Sequence, residues 1–413
     1  MDASAVEDVW RQEAPHVLAA LLRRHSDLGE CEDAAQEAAA AAATQWPRDG
    51  LPANPRGWLV TVASRRLIDR VRADQARCGR EQAVARARPA DTFLAPPADA
   101  SADDADDTLR LLLLCCHPSL SRPSQVALTL HAVAGLSTAQ IAAAYLVPER
   151  TMTQRLTRAR ATLRAAGAVF ELPAQADLPA RIAAVLDVCH LLFAEGHTRS
   201  AGGTLVDRTM ADEAIRLTRQ LHAVIPDHDE ITGALALMLL THARSAARTR
   251  DGELVPLAEQ DRTRWDQPMI AEGVAILERV LPRGHVGRFQ LQAAIAAVHA
   301  ESPTWASTDW RQISILYAML DRIAPGPIVT LNRAVAVGTA FDPRDGLALV
   351  DPLLDDPLMV RHHRTHAVRA HLLELIGDRP AARESYRRAA QLTASIPEQR
   401  YLNTRLRHLT DDD

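Results

Sequence analysis

One spacing recurs through the last 235 or so of the 413 residues, and it limits the fold more than any other feature. A small or apolar residue is followed by an apolar or semi-polar one four positions later and another three after that. The triples are Ala214/Thr218/Leu221, Gly273/Leu277/Val280, Ile313/Tyr317/Leu320, Gly346/Val350/Leu353 and Ala382/Tyr386/Ala389. Offsets of four and three lie on one face of an α-helix, never on one face of a strand. A helix pair with one such stripe buries it only by stacking on a neighbour, so repetition predicts a helical array. Intervals between the copies are 59, 40, 33 and 36 residues, which places insertions in the earlier ones. Any assembly of helices yields some such triples by chance; the even late periods favour stacking.

Aromatic residues make up 4% of the chain, which argues against an all-β sandwich or barrel and suits an Ala/Leu/Arg-rich helical protein. With 47% hydrophobic residues there is ample apolar surface for two to four domains. No run approaches the ~20 apolar residues of a membrane span. Leu111 to Cys116 is too short, and Met1 to Ala14 carries Asp2, Glu7, Asp8 and Glu13, the wrong sign for a signal peptide. A cytoplasmic protein is expected. Five cysteines (Cys31, Cys78, Cys115, Cys116 and Cys189), an odd number, form no C-x-x-C pair, and so few in a chain of this length exclude a disulfide scaffold.

Charge is unevenly placed. The formal net charge is −5, yet residues 56–88 hold nine Arg against three acids, and 149–164 five Arg against one Glu. Between them, residues 91–107 carry six Asp and no base. Lysine is absent, so all fixed positive charge is guanidinium, the group suited to bidentate phosphate and guanine contacts. Such charge also suits an acidic protein partner.

Leu136-Ser137-Thr138-Ala139-Gln140-Ile141-Ala142 reads as a helix start, with Ser137 as N-cap and Gln140 completing a capping box. Tyr145-Leu146-Val147-Pro148 breaks that helix and Pro148 starts another, the layout of a helix-turn-helix. On the second helix Met152, Leu156, Ala159 and Leu163 face inward, leaving Arg150, Thr153, Gln154 and Thr157 outward and Arg155 and Arg158 on the flank. Arg, Thr and Gln at the leading end of a helix are what major-groove reading requires. The competing reading is an amphipathic helix with a solvated Arg face.

Earlier in the chain, Asn54 caps a helix with Pro55 at its first position. Leu59, Val62, Ala63, Leu67 and Val71 form its inner stripe, while Thr61, Arg65, Asp69 and Arg72 form a polar one on which Arg65 and Asp69 are spaced to pair. Trp58 suits either a core position or a platform for an unpaired base. Upstream lies Glu32-Asp33-Ala34-Ala35-Gln36-Glu37, an acidic and polar helix start.

Taken together, Glu32 to Glu37, Pro55 to Arg70, and Gly135 to Ala142 with Val147 to Arg160 resemble the bacterial extracytoplasmic-function RNA polymerase sigma factors. Their order matches that family's region-2 domain, linker and region-4 domain. Residues 369–389 resemble a tetratricopeptide unit with Gly377 at the turn. Leu191 to Gly196, Asp251 to Val255, Glu259 to Asp266, Gln290 to Ala300 and Leu331 to Ala336 resemble the sigma subgroup with a tetratricopeptide-like C-terminal extension. The resemblance implies an all-α chain: a region-2 domain over 1–82, an acidic Pro-containing linker over 83–106, a region-4 helix-turn-helix domain over 107–168 and a helical-repeat extension over 175–411.

The resemblance also implies partners and roles. Glu32, Asp33, Gln36 and Glu37 would bind the β′ clamp helices of core RNA polymerase, with the β flap as a further contact. Residues 46–54 would form the loop that captures an unpaired −10 base. Trp58, Thr61, Arg65, Arg66, Asp69 and Arg72 would meet the −10 element of promoter DNA, and Arg150, Thr151, Thr153, Gln154, Arg155 and Arg158 the −35 element. The acidic residues 91–107 would lie in the RNA exit path. A regulatory protein or ligand would act at the extension. Two departures stand out: Ala38 to Ala43 replace the bulky apolar residues usual after the acidic motif, and Arg65 takes a position often held by Asn.

No nucleophile elbow, phosphate loop or dinucleotide fingerprint occurs, and no catalytic role, cofactor or metal is expected. Cys115, Cys116 and His117 are contiguous and do not converge on a metal, and His362 and His366 lack a third ligand. Three readings fit: a promoter-specificity subunit of RNA polymerase, a stand-alone helix-turn-helix regulator with a helical sensor, or a helical-repeat scaffold whose N-terminal half is vestigial.

Overall fold

A computed structural model of the chain describes residues 3–81 and 104–411. It is all-α, with eighteen α-helices among the described residues. The chain divides into two compact units, Met1–Val188 and Cys189–Asp413.

The first unit opens with three long helices, α1 (Ala3–Leu22), α2 (Leu28–Asp49) and α3 (Pro55–Glu81). Asp27 caps α2 by accepting from the Glu30 amide at 3.1 Å, and Asn54 caps α3 by accepting from Gly57 at 2.8 Å. Val17, Leu18 and Leu21 of α1 and Leu59, Ala63 and Leu67 of α3 are buried together with Ala34, Ala35, Ala38 and Ala42 of α2. The alanine run is thus partly core: small side chains let α2 approach its neighbours closely, where bulkier ones would hold it off.

Next come α4 (Asp104–Cys115), α5 (Arg122–Ala132), α6 (Thr138–Ala144) and α7 (Glu149–Ala165). Residues 82–103, with most of the expected acidic linker, lie outside the described residues. Its last three expected positions, 104–106, belong to α4 instead. Cys115 and Cys116 are buried, with Cys116 against the Thr129 hydroxyl at 3.7 Å. They are core. Helix α8 (Leu178–His197) contains the point at which the chain divides into its two units.

The second unit continues with α9 (Arg208–Val224), α10 (Asp229–His242), α11 (Gln267–Val280), α12 (Arg288–Glu301) and α13 (Trp310–Ile323). It ends with α14 (Pro327–Ala340), α15 (Pro343–Val350), α16 (His363–Leu375), α17 (Arg379–Leu392) and α18 (Ile396–Asp411). The five triples fall on α9, α11, α13, α15 and α17, every second helix, apart from Leu353, which lies in the 3-10 turn after α15. At Gly346 no side chain fits, because another backbone crosses there. A Cβ on Gly346 would stand 2.7 Å from the Ala334 carbonyl of α14. Four two-residue strands interrupt the helical pattern: β1 (Ala201–Gly202), β2 (Thr249–Arg250), β3 (Glu253–Leu254) and β4 (Ala394–Ser395). β1 pairs in parallel with β4, and β2 with β3 as a hairpin. That hairpin turns at Asp251 and Gly252, both at positive φ, the geometry an Asp-Gly pair favours. Together with three short 3-10 turns between 245 and 264 it fills the long first interval of the repeat.

Candidate DNA and polymerase interface

The capping box at the start of α6 is complete: the Ser137 hydroxyl accepts from the Gln140 amide at 3.2 Å and the Gln140 side chain from the Ser137 amide at 2.8 Å. Leu146, at φ +51°, takes the left-handed conformation in the turn after α6, which L residues adopt at a cost of roughly 1–2 kcal/mol. Pro148 then stands as N-cap of α7. Met152, Leu156, Ala159 and Leu163 are buried, as their spacing requires, and seat α7 on the domain. Arg150, Thr151, Thr153, Gln154, Thr157 and Arg158 are exposed, and Arg155 is half-buried. A row of exposed hydrogen-bonding groups on a helix anchored by its other face can enter a groove without unfolding anything.

On α3, Arg65, Arg66, Asp69 and Arg72 are exposed and Thr61 is half-buried, its hydroxyl donating to the Gly57 carbonyl at 2.7 Å. The expected Arg65–Asp69 pair is not formed among the described residues. The ion pairs run across to α2 instead: Arg70 to Asp33 at 2.8 Å and to Glu37 at 2.5 Å, and Arg66 to Glu37 at 3.7 Å. Trp58 is half-buried and packs edge-on against Trp46, with ring centroids 5.4 Å apart. Its ring is therefore partly occupied by the fold, which favours the core role over a free stacking platform. The expected loop over 46–54 is shorter too. Residues 46–49 belong to α2, Trp46 is buried, and the connection spans only 50–54.

The acidic face of α2 divides. Asp33, Gln36 and Glu37 are exposed, but Glu32 is 4% exposed. Arg160 of α7 forms an ion pair with Glu32, His131 of α5 approaches it at 4.0 Å, and Arg164 pairs with Asp27. Burial pushes the Glu32 carboxyl up from its ordinary range, against the pull of Arg160 and His131. At Asp27 burial also acts upward, but the hydrogen bonds from Arg164 and the Glu30 amide hold the carboxyl below its usual value. Glu32 is thus no open docking residue in this structure. Sequence reading missed Asp27, His131, Arg160 and Arg164, because no local pattern announces a contact between positions 128 residues apart.

Among the described residues no cluster of three or more His, Cys, Asp or Glu could hold a metal. His366 shares its Nε2 with the Val360 carbonyl at 2.8 Å, so it does not form a ligand pair with His362. No helix among the described residues is long and apolar enough to cross a membrane.

An acidic-faced helix packed on an arginine-faced one, followed by a helix-turn-helix with an exposed Arg/Thr/Gln face, makes a helical DNA-binding class of protein. Family comparisons agree with that geometry. Residues 9–77 match sigma-70 region 2, residues 110–163 match sigma-70 region 4, and residues 181–281 match a family of unknown function, DUF6596. An uncharacterized protein of Rhizobium meliloti (strain 1021) is 40% identical over 405 residues, covering 96% of this chain and 93% of its own. The probable ECF RNA polymerase sigma factor SigI of Mycobacterium tuberculosis (strain H37Rv) is 30% identical over 155 residues, covering 38% of this chain and 53% of that protein. No solved structure matches. Sigma-70 regions 2 and 4 thus lie in the first unit, and together with the ECF relative they support an extracytoplasmic-function sigma-70 factor with a helical C-terminal extension.

Proposed function

We propose that this sigma factor brings core RNA polymerase to its promoters in the cytoplasm, with no catalytic chemistry of its own, and that its extension modulates this docking. The exposed face of α7, from Arg150 to Arg158, reads the −35 duplex. Thr61, Arg65, Arg66, Asp69 and Arg72 of α3 meet the −10 strand, with Trp58 positioning the start of that helix. Asp33, Gln36 and Glu37 meet the β′ clamp helices first, and Glu32 joins them once α7 leaves α2. The β flap receives the helix-turn-helix domain. The observation that carries this reading is the division of α7 into a buried apolar stripe and an exposed Arg/Thr/Gln face within a region-4 match. Run-off transcription with core polymerase tests it. A promoter-dependent product is expected, and its absence for both the full chain and a form ending near Gly167 rejects the reading.

Burial of Glu32 favours one alternative, a stand-alone helix-turn-helix regulator that needs no polymerase contact. Co-purification separates the two, since stable association with core polymerase that weakens on substitution of Asp33 and Glu37 excludes the alternative.

A further inference from the structure

Within the second unit a cavity of about 220 Å³ lies among α10, α12 and α13. One wall is apolar, with Leu237, Leu240 and Ile295, and the rest carries Arg244, Trp265, His299 and Tyr317. Its charge is uncompensated. No carboxylate among the described residues pairs with Arg244, whose nearest polar partner is Nε2 of His197 at 3.5 Å. His197 supplies no negative charge, since an imidazole is neutral or cationic, and burial together with Arg248 and Arg244 pushes it well below its ordinary value. A second cation stands close by: Arg262 lies over the Trp265 ring at 4.6 Å and donates to the His299 carbonyl at 2.6 Å. Burial draws the Arg244 guanidinium down to about 10, with Tyr317 opposing and Arg262 adding to the effect.

Two further groups at this cavity lack partners. Trp265 is 5% exposed and its indole N–H has no acceptor, and Nδ1 of His299 is buried without a partner. Buried donors are nearly always satisfied, and the Arg244 guanidinium, half-buried against the cavity, has no counter-charge among the described residues. Water would satisfy an indole N–H but would not neutralise a guanidinium. An anion does both. The volume equals roughly seven waters at the ~30 Å³ each occupies in the liquid, and the apolar wall requires part of the occupant to be hydrocarbon. The planar fork of Arg matches a carboxylate in two parallel hydrogen bonds.

We propose that this cavity binds a small organic monocarboxylate, its carboxylate on Arg244 and Trp265 and its hydrocarbon part against Leu237, Leu240 and Ile295. The extension is then a sensor for an organic acid. This deepens the reading of the extension as the regulatory part of the chain. Because binding is measured without transcription, failure of the cavity and failure of that reading are separable.

The test is calorimetric and thermal titration of the full chain with benzoate, with benzamide as its uncharged counterpart and with inorganic phosphate. Benzoate is expected to bind at least tenfold tighter than benzamide and to raise the melting temperature with dose. Arg244→Met should weaken benzoate at least tenfold while the unliganded protein melts no lower than the wild type, because an uncompensated charge has been removed. Trp265→Phe should keep the fold and weaken benzoate severalfold. Equal binding of benzoate and benzamide, or binding of neither, overturns the proposal. Phosphate binding in place of benzoate assigns the cavity to inorganic anions and also overturns it. An Arg244→Met protein that melts far lower, beside a Trp265→Phe protein that binds benzoate normally, shows Arg244 to be structural and overturns it as well.

Discussion

Leu156 and Arg158 are neighbours on α7 with opposite tasks. Leu156 is 1% exposed and holds the helix down, so Leu156→Ala should cost about 2–5 kcal/mol in urea unfolding of the first unit. Arg158 is exposed, so Arg158→Ala should leave the melting temperature unchanged and lower promoter-dependent transcription severalfold. Arg155 is half-buried. Arg155→Ala is expected to lower promoter affinity without unfolding the domain, and a drop in melting temperature with affinity intact would mark it as structural instead. Burial, with Arg244 and Arg262 adding to it, pushes His299 down to about 4. A histidine depressed in the folded state contributes fully above its unfolded value, ~6.5, and that contribution is lost as pH falls toward 4. Denaturant unfolding between pH 7.5 and 4.5 should show a loss of stability that His299→Gln reduces by roughly 1–3 kcal/mol. An unchanged slope in that variant would show that the other depressed histidines account for it.

At the level of elements, the contact between α2 and α7 decides which surfaces of the first unit are open. Arg160 pairs with one oxygen of the buried Glu32 carboxyl, and removing Arg160 strands that group, a change typically worth ~3–5 kcal/mol. A form in which α7 leaves α2 lets that carboxylate hydrate. Arg160→Ala should therefore shift the first unit toward separation of the two helices, seen as faster amide hydrogen exchange along α2 and tighter binding to core polymerase. Glu32→Gln should weaken core binding if Glu32 meets the clamp helices on opening. Both variants binding core polymerase like the wild type would leave the ion pair with no part in docking. Helices α2 and α3 are joined differently, through Arg66 and Arg70 with Asp33 and Glu37, pairs that are mostly exposed and add only ~0–1 kcal/mol each. Those pairs yield readily to a stronger partner, whereas the Glu32–Arg160 contact does not.

On the scale of the whole chain, two units of different construction share one polypeptide. Transcription comparing the full chain with a form ending near Gly167 should give promoter-dependent product from both, with benzoate altering the output of the full chain alone. Benzoate acting on the truncated form would place its target outside the extension. The inner stripe of α7, the capping box of α6, the cap of α3 and the repeat triples, Leu353 excepted, were legible in the sequence. Each is written in offsets of three or four residues, and helix geometry alone sets which side chains share a face. The burial of Glu32, the packing of Trp58 on Trp46 and the convergence of Arg244, Trp265 and His299 on one cavity were not. A local offset says which way a side chain faces on its own helix, but not which distant helix lies over it. The sequence by itself determined most of the helices and their inner faces, and it carried the family resemblance. Tertiary packing decided which charges are covered and which are left without a partner, because burial and the electrostatics that follow from it depend on neighbours that are distant along the chain.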